Sequence, residues 1–213
     1  MQYKFVNMRN DLLADKLIKG LESRNMEGYY VQTKEEALTK ALELIKEKSS
    51  IGWGGSMSLK TIGLLDAVRA GDYTVLDRDN AENAEIKEKI TREIFSADYF
   101  LTSTNAITED GVLVNIDGNG NRVAAIVYGP ENVIVVAGMN KVVKTEQDAM
   151  SRARNLAAPV NAQRFGLSTP CASTGSCADC KSADTVCCQF LTTRFSRQKG
   201  RIKVILVNED LGF

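Results

Sequence analysis

Histidine is missing from all 213 residues. That absence excludes a Ser-His-Asp hydrolase and any zinc enzyme built on histidine ligands. Proline is scarce, with three residues, and Trp53 is the single tryptophan. Cysteine is absent from the first 170 residues; all five lie between Cys171 and Cys188. An odd number confined to one stretch does not make a disulfide framework. No apolar run approaches the roughly 18–20 residues that a membrane helix needs. Asp11, Asp15 and Lys16 interrupt the apolar residues of the first twenty, so no secretory core is legible there. The expectation is a cytoplasmic protein with reduced thiols.

Charge of one sign is also lacking. Lys+Arg and Asp+Glu number 27 each, which gives no general case for nucleic acid or a membrane surface. The distribution is uneven. From Lys141 onward eleven Lys/Arg face six Asp/Glu, a net of +5, so residues 1–140 carry −5. This bias is too weak for a nucleic-acid face. It suits an anionic ligand or an acidic redox partner.

What is present is an alternation of helix and strand patterns. Leu13, Leu17 and Leu21 mark a helix over Asn10–Arg24. Thr33-Lys-Glu-Glu36 reads as a capping box opening a second helix. Helices are also expected over Ser58–Ala70, Ala81–Ser96 and Thr145–Ala157. Strands are expected at Tyr29–Val31, Ser50–Trp53, Tyr73–Asp77, Tyr99–Ser103, Asn132–Ala137 and Arg201–Val207. Val112–Asp117 and Arg122–Tyr128 flank Gly118-Asn-Gly-Asn121 and read as a hairpin. The fold class is α/β: a mostly parallel sheet with helices on both faces. The length suits a single domain spanning residues 1–213.

Three segments carry polar residues where chemistry would sit. Gly52-Trp-Gly-Gly-Ser-Met-Ser58 joins a strand to a helix. Its glycines let backbone N–H groups approach an anion such as a carboxylate or phosphate. It lacks the spacing of a dinucleotide fingerprint and the Gly-Lys-Ser/Thr of a P-loop. A tight turn with Ser56 or Ser58 as N-cap is the alternative, but three glycines exceed what a cap requires. Trp53 either lines that pocket or fills the core.

The second segment, Thr102–Gly111, holds Glu109 beyond a strand end. Glu109 has the chemistry of a general base, nucleophile or ligand contact. Against this, Asp110-Gly111 reads as a simple turn before the next strand, and spacing alone favours the turn.

The third segment spaces its sulfurs as Cys171-x5-Cys177-x2-Cys180-x6-Cys187-Cys188. Thiolates gathered by short loops of small residues are soft ligands for an iron–sulfur cluster or zinc. Zinc usually pairs two C-x-x-C knuckles, and only one is present. A redox disulfide and unrelated buried thiols are the remaining readings. The density of sulfur favours a cluster, 4Fe–4S by ligand count, with zinc as the alternative.

Taken in order, IGWGGSMSL, DYFLTSTNAITEDGVLVNIDGNGNR, NVIVVAGMNKVV and the cysteine tail resemble the LUD (lactate utilization) domain family. The resemblance covers nearly the whole chain. It implies a NagB/RpiA/CoA-transferase-like fold, with a ligand pocket at the strand ends. Gly52, Gly54, Gly55 and Ser56 would form one wall and Glu109 would face it. Glu109 sits as the nucleophilic glutamate of related CoA transferases does, though its surrounding motif differs. In a small subgroup a cysteine tail of this spacing has Cys171, Cys177, Cys180 and Cys187 at the matching positions, leaving Cys188 over.

Two functions follow as expectations. One is a redox component in the oxidation of lactate or a related small acid, with a partner subunit docked by the basic C-terminal region. The other is an enzyme of the isomerase or CoA-transferase type that uses the glycine loop and Glu109, with a purely structural metal site. A homo-oligomer is compatible with either.

Overall fold

The computed structural model of the chain describes residues 2–213. Six parallel strands form the main sheet, in the order β1-β10-β7-β4-β2-β3. They are β1 (Glu27–Val31), β2 (Ser50–Trp53), β3 (Thr74–Leu76), β4 (Tyr99–Thr102), β7 (Asn132–Gly138) and β10 (Ile202–Val207). Alternation along the strands feeds two cores. On one face Ile134 and Val136 of β7 join Ile205 and Val207 of β10 in a cluster with Ala37, Ala41, Leu59, Leu64 and Trp53. On the other, Val133, Val135, Val204 and Leu206 pack with Leu17, Leu21, Ile94 and Ile126. A sheet buried on both faces explains the unbroken apolar run of Val133–Ala137.

The covering helices begin where the sequence supplies caps. On the first face lie α2 (Lys34–Glu43), α3 (Met57–Thr61) and α4 (Leu64–Ala70). The Thr33 side chain accepts from the Glu36 backbone N–H at 3.2 Å to start α2. The helix expected over Ser58–Ala70 is broken at Gly63, which takes φ +72 between α3 and α4. On the second face lie α1 (Gln2–Ser23), α5 (Ala84–Glu93) and α6 (Asn121–Tyr128). The helix opened by the Thr145/Asp148 capping box is α7 (Glu146–Arg152). It runs on through one wide turn (Ala153–Ala157) into α8 (Ala158–Phe165) and so passes the expected end at Ala157.

The hairpin reading of Arg122–Tyr128 is overturned: this segment is helix α6. The cause is Asp117, at the end of β6 (Leu113–Asp117). Its carboxylate accepts backbone N–H groups from Asn119, Gly120, Arg122 and Val123 at 3.0–3.3 Å. One anion thus satisfies the donors that a helix start leaves open. The antiparallel partners of β6 are instead β5 (Ala106–Thr108) and β9 (Gln189–Thr193). With β8 (Val142–Val143) they form a second, four-stranded sheet in the order β8-β5-β6-β9. This second sheet was not legible in the pattern, because β5, β8 and β9 run two to five residues.

Candidate functional site: a cationic cavity walled by the cysteine segment

In an open parallel sheet, polar loops gather at the carboxyl ends of the strands, and here they enclose a cavity of about 590 Å³. Gly55, Ser56 and Met57 follow β2; Arg78 and Asp79 follow β3; Ser103, Thr104 and Asn105 follow β4; Lys141 follows β7. Asp117–Arg122 close one side, Arg164 on α8 another.

The lining is cationic: Lys60, Arg78, Lys87, Arg122, Lys141 and Arg164 against Asp79, Asp117 and Asp184. The three carboxylates are already engaged. Asp117 caps α6 as above, Asp184 accepts from the Ser168 N–H at 2.7 Å, and Asp79 accepts from Trp53 Nε1 at 2.9 Å. Arg122 has 13 % of its side chain exposed. It donates to Asn115 Oδ1 (2.5 Å), the Ile116 carbonyl (2.6 Å), Asn105 Oδ1 (3.1 Å) and the Ser103 carbonyl (3.3 Å). Burial pulls its pKa down, with Asp117 opposing and Arg78 adding to the fall.

Lys141 is the more unusual cation, with 2 % exposed and no carboxylate partner among its contacts. Its Nζ lies 3.0 Å from Ser58 Oγ and 3.0 Å from Ser103 Oγ. Burial first, then the charges of Arg152 and Arg122, bring its pKa down to about 7. A buried lysine titrating near neutrality is a group able to exchange a proton or attack an electrophile.

The residues expected at the site divide. Gly55 and Ser56 line the cavity. A Cβ on Gly55 would lie 3.9 Å from Arg78 Nη2 and 4.0 Å from Arg164 Nη2, so two guanidinium tips converge over one bare stretch of backbone. Ser56 caps α3, its Oγ accepting from the Leu59 N–H at 3.3 Å. Gly52 and Gly54 stand behind the wall. A Cβ on Gly52 would fall 2.4 Å from Ile94 Cγ1, and one on Gly54 2.9 Å from Arg122 Cγ. Their smallness serves close packing. Trp53 is 1 % exposed and belongs to the core; it touches the cavity only through Asp79.

Glu109 is not brought to the cavity. It lies in the turn between β5 and β6, where Gly111 takes φ +91, and it pairs with Lys16 of α1 at 2.7 Å. That hydrogen bond holds its carboxyl below the ordinary glutamate range. Lys141, Arg78, Arg122 and Arg164 are the cavity groups that sequence reasoning missed. One signal pointed to the first of them: a cation just beyond an apolar strand, as in Val133–Lys141; Arg164, inside helix α8, carried none.

The cysteine segment forms the remaining wall, through Ala183, Asp184, Thr185 and Val186. It is stitched in place by β9, by the Cys188 N–H donating to the Asp117 carbonyl at 3.1 Å, and by close approach of Val186 to Gly118. A Cβ on Gly118 would sit 3.1 Å from Val186 Cα. Cys171 lies on α9 (Pro170–Thr174), its Sγ 3.3 Å from Thr169 Oγ1. Asp179 takes φ +51 between Cys177 and Cys180 and pairs with Arg154 of the wide turn. Hydrogen bonds from Ser182 lower the Cys180 pKa. Cys187 is raised, by burial first, and also by the charges of Cys177, Cys171 and Cys180. Cys171, Cys177 and Cys180 therefore each lie within electrostatic reach of Cys187. Cys188 is the exposed member of the five, and all five are free thiols. Among the described residues no three His, Cys, Asp or Glu side chains close around a single metal-ion position.

The architecture defines an α/β protein whose parallel sheet opens at its carboxyl edge onto a cationic cavity. Residues 14–207 match the family model for the LUD domain, and the chain belongs to that family. Membership supports a role related to lactate utilization. Among solved structures it is similar to a DUF162 family protein from Deinococcus radiodurans. That match has 14 % identity and a TM-score of 0.53, over 93 % of this chain and 98 % of the other. It is also similar to ribose 5-phosphate isomerase A from Neisseria gonorrhoeae (17 % identity, TM-score 0.34, 53 % and 54 % of the two chains). The corresponding isomerase from Methanocaldococcus jannaschii gives 19 % identity and a TM-score of 0.36, over 53 % and 55 %. No curated protein matches the chain. Among the described residues no helix is long and apolar enough to cross a membrane.

Proposed function

We propose that this LUD-domain protein is a redox component acting on lactate or a related small hydroxy acid. In this reading an iron–sulfur cluster is held by Cys171, Cys177, Cys180 and Cys187, next to the acid-binding cavity. The observation that carries it is the shared wall: residues 183–186, inside the cysteine segment, line the cationic cavity. Arg78 and Arg164 bind the carboxylate over Gly55, by charge and by the planar guanidinium fork. Lys141, Ser103 and Asn105 meet the remainder of the acid.

The donor set fits a cluster better than zinc. Zinc holds four sulfurs about 2.3 Å from one ion, which sets them about 3.8 Å apart. A cubane spreads its cysteines over the corners of a larger cube. Five cysteines within eighteen residues, with one C-x-x-C knuckle where structural zinc pairs two, suit the larger group. Cys187, half-buried and packed against the cluster of Ala106, Val114, Ile116, Ala149 and Ala153, is a better fourth ligand than exposed Cys188. Arg154, Ser182 and Thr185 supply hydrogen bonds to sulfur. Such bonds tune potential.

When bound, the cluster supplies one-electron transfer. Oxidation of a hydroxy acid releases two electrons and two protons, so the terminal acceptor lies on a partner subunit. Arg194, Arg197 and Lys199, exposed after β9, are the basic surface offered to it.

The test is anaerobic purification with visible absorption and iron and sulfide analysis. The expected result is a brown protein, bleached by dithionite, with roughly four irons and four sulfides per chain. A colourless protein carrying one zinc would sink the redox reading.

A further inference from the structure

We propose that Lys141 is a catalytic residue that forms a reversible imine with a small 2-oxo acid held in the cavity. The inference deepens the reading of the cavity as a small-acid site and does not depend on the cluster.

The geometry favours a nucleophilic amine over a salt-bridged cation. Lys141 is buried, lines the cavity, and has two hydroxyls as its side-chain partners. Ser58 Oγ donates its own hydrogen to the Leu211 carbonyl (3.2 Å), and Ser103 Oγ has the Thr104 carbonyl (3.4 Å) and Ser58 Oγ (3.3 Å) to receive its own. Each hydroxyl therefore offers lone pairs to Lys141. A neutral amine has two N–H donors; two acceptors satisfy both and leave its lone pair free. An ammonium would keep a third N–H without a protein partner in a desolvated place. The charged groups that bear on it are Arg122 of α6 and Arg152 of α7, and both disfavour the ammonium. Asp210 offsets only Arg152. Near pH 7 about half of Lys141 is free amine, roughly a thousandfold more than an ordinary lysine.

The substrate class follows from the neighbours. Arg78 and Arg164 take a carboxylate, and a ketone beside that carboxylate is the electrophile a buried amine can attack. Lys141 Nζ bonds to C2, and the carbonyl π pair moves onto oxygen. The Ser103 hydroxyl, turning from the Thr104 carbonyl, takes a proton from nitrogen and gives its own to that oxygen. Loss of one water then leaves the C=N bond. Amine and oxo acid give imine and water, with no oxidant needed. A 2-oxo acid is also what oxidation of a 2-hydroxy acid yields.

The test treats the full chain at pH 7 with pyruvate and cyanoborohydride, followed by intact mass and peptide mapping. The expected mass gain is that of the oxo acid plus two hydrogens less one water, on the peptide bearing Lys141. Oxalate, which has no ketone, should protect, and Lys141→Arg should abolish the adduct. Protection and mapping in the unaltered protein stand even if that variant fails to fold. Modification scattered over surface lysines, or none at all, overturns the proposal. Oxalate binding measured by calorimetry separates the two failures. If oxalate binds and pyruvate is not trapped, the imine falls and the acid site stands. If neither binds, both fall.

Discussion

Replacing Lys141 by Met should change how stability depends on pH. In the unfolded chain this lysine titrates at its ordinary value of 10.5, and in the folded protein at about 7. Between these values the unfolded chain holds a proton that the folded protein does not, so stability rises with pH across that window. Below pH 7 the folded protein carries the buried charge, at a cost of up to about 5 kcal/mol. From pH 7 to pH 9 the relief amounts to about 2 kcal/mol for this one group. The Met side chain fills a similar volume and cannot be charged. Urea denaturation of both proteins at pH 6, 7, 8 and 9 isolates the effect, because thiol titrations common to both cancel in the difference. The wild type should gain on Lys141→Met by about 2 kcal/mol over those two upper units. Parallel curves would mean that Lys141 titrates as an ordinary lysine, and the argument from its burial would be refuted.

Cys187→Ser should lose visible absorption and iron, whereas Cys188→Ser should keep both, read by anaerobic absorption and metal analysis. Arg78→Ala or Arg164→Ala should each weaken oxalate binding roughly tenfold to a hundredfold, the worth of a charged hydrogen bond. Glu109→Gln should leave that binding unchanged and lower stability by less than about 1 kcal/mol, because its partner Lys16 is 58 % exposed. Gly52→Ala should cost about 1–3 kcal/mol in urea denaturation, since the added carbon would meet Ile94 at both branches.

The parallel sheet was legible because its strands are buried on both faces and its helices announce their caps. Thr33 and Thr145 act through contacts three residues away, and the run Val133–Ala137 records its double burial in its own composition. The second sheet was not legible, because β6 meets β9 across 72 to 80 residues and no local pattern records that pairing. Gly118–Asn121 misled for a related reason. Gly-Asn pairs favour hairpins, but a single carboxylate at Asp117 captured four N–H groups and began a helix. At the site, the glycine loop was found by composition, yet of its glycines only Gly55 reaches the cavity, with Ser56 and Met57 beside it. Lys141 escaped notice because its character comes from burial between Ser58 and Ser103, brought from α3 and from the loop after β4. The cysteines were conspicuous because they are dense in the chain itself.

The seam at which Val186 presses on Gly118 gives the cysteine segment a thermodynamic consequence. A group held by its thiols and an acid in the cavity would share one partition. Whatever stiffens that partition for one guest prepares it for the other, and the gain is reciprocal. Titrations of the acid on the loaded and the stripped protein would read the same free energy as metal-retention measurements with and without the acid. The partition is therefore a place where cofactor assembly can license substrate binding without any motion of the sheet.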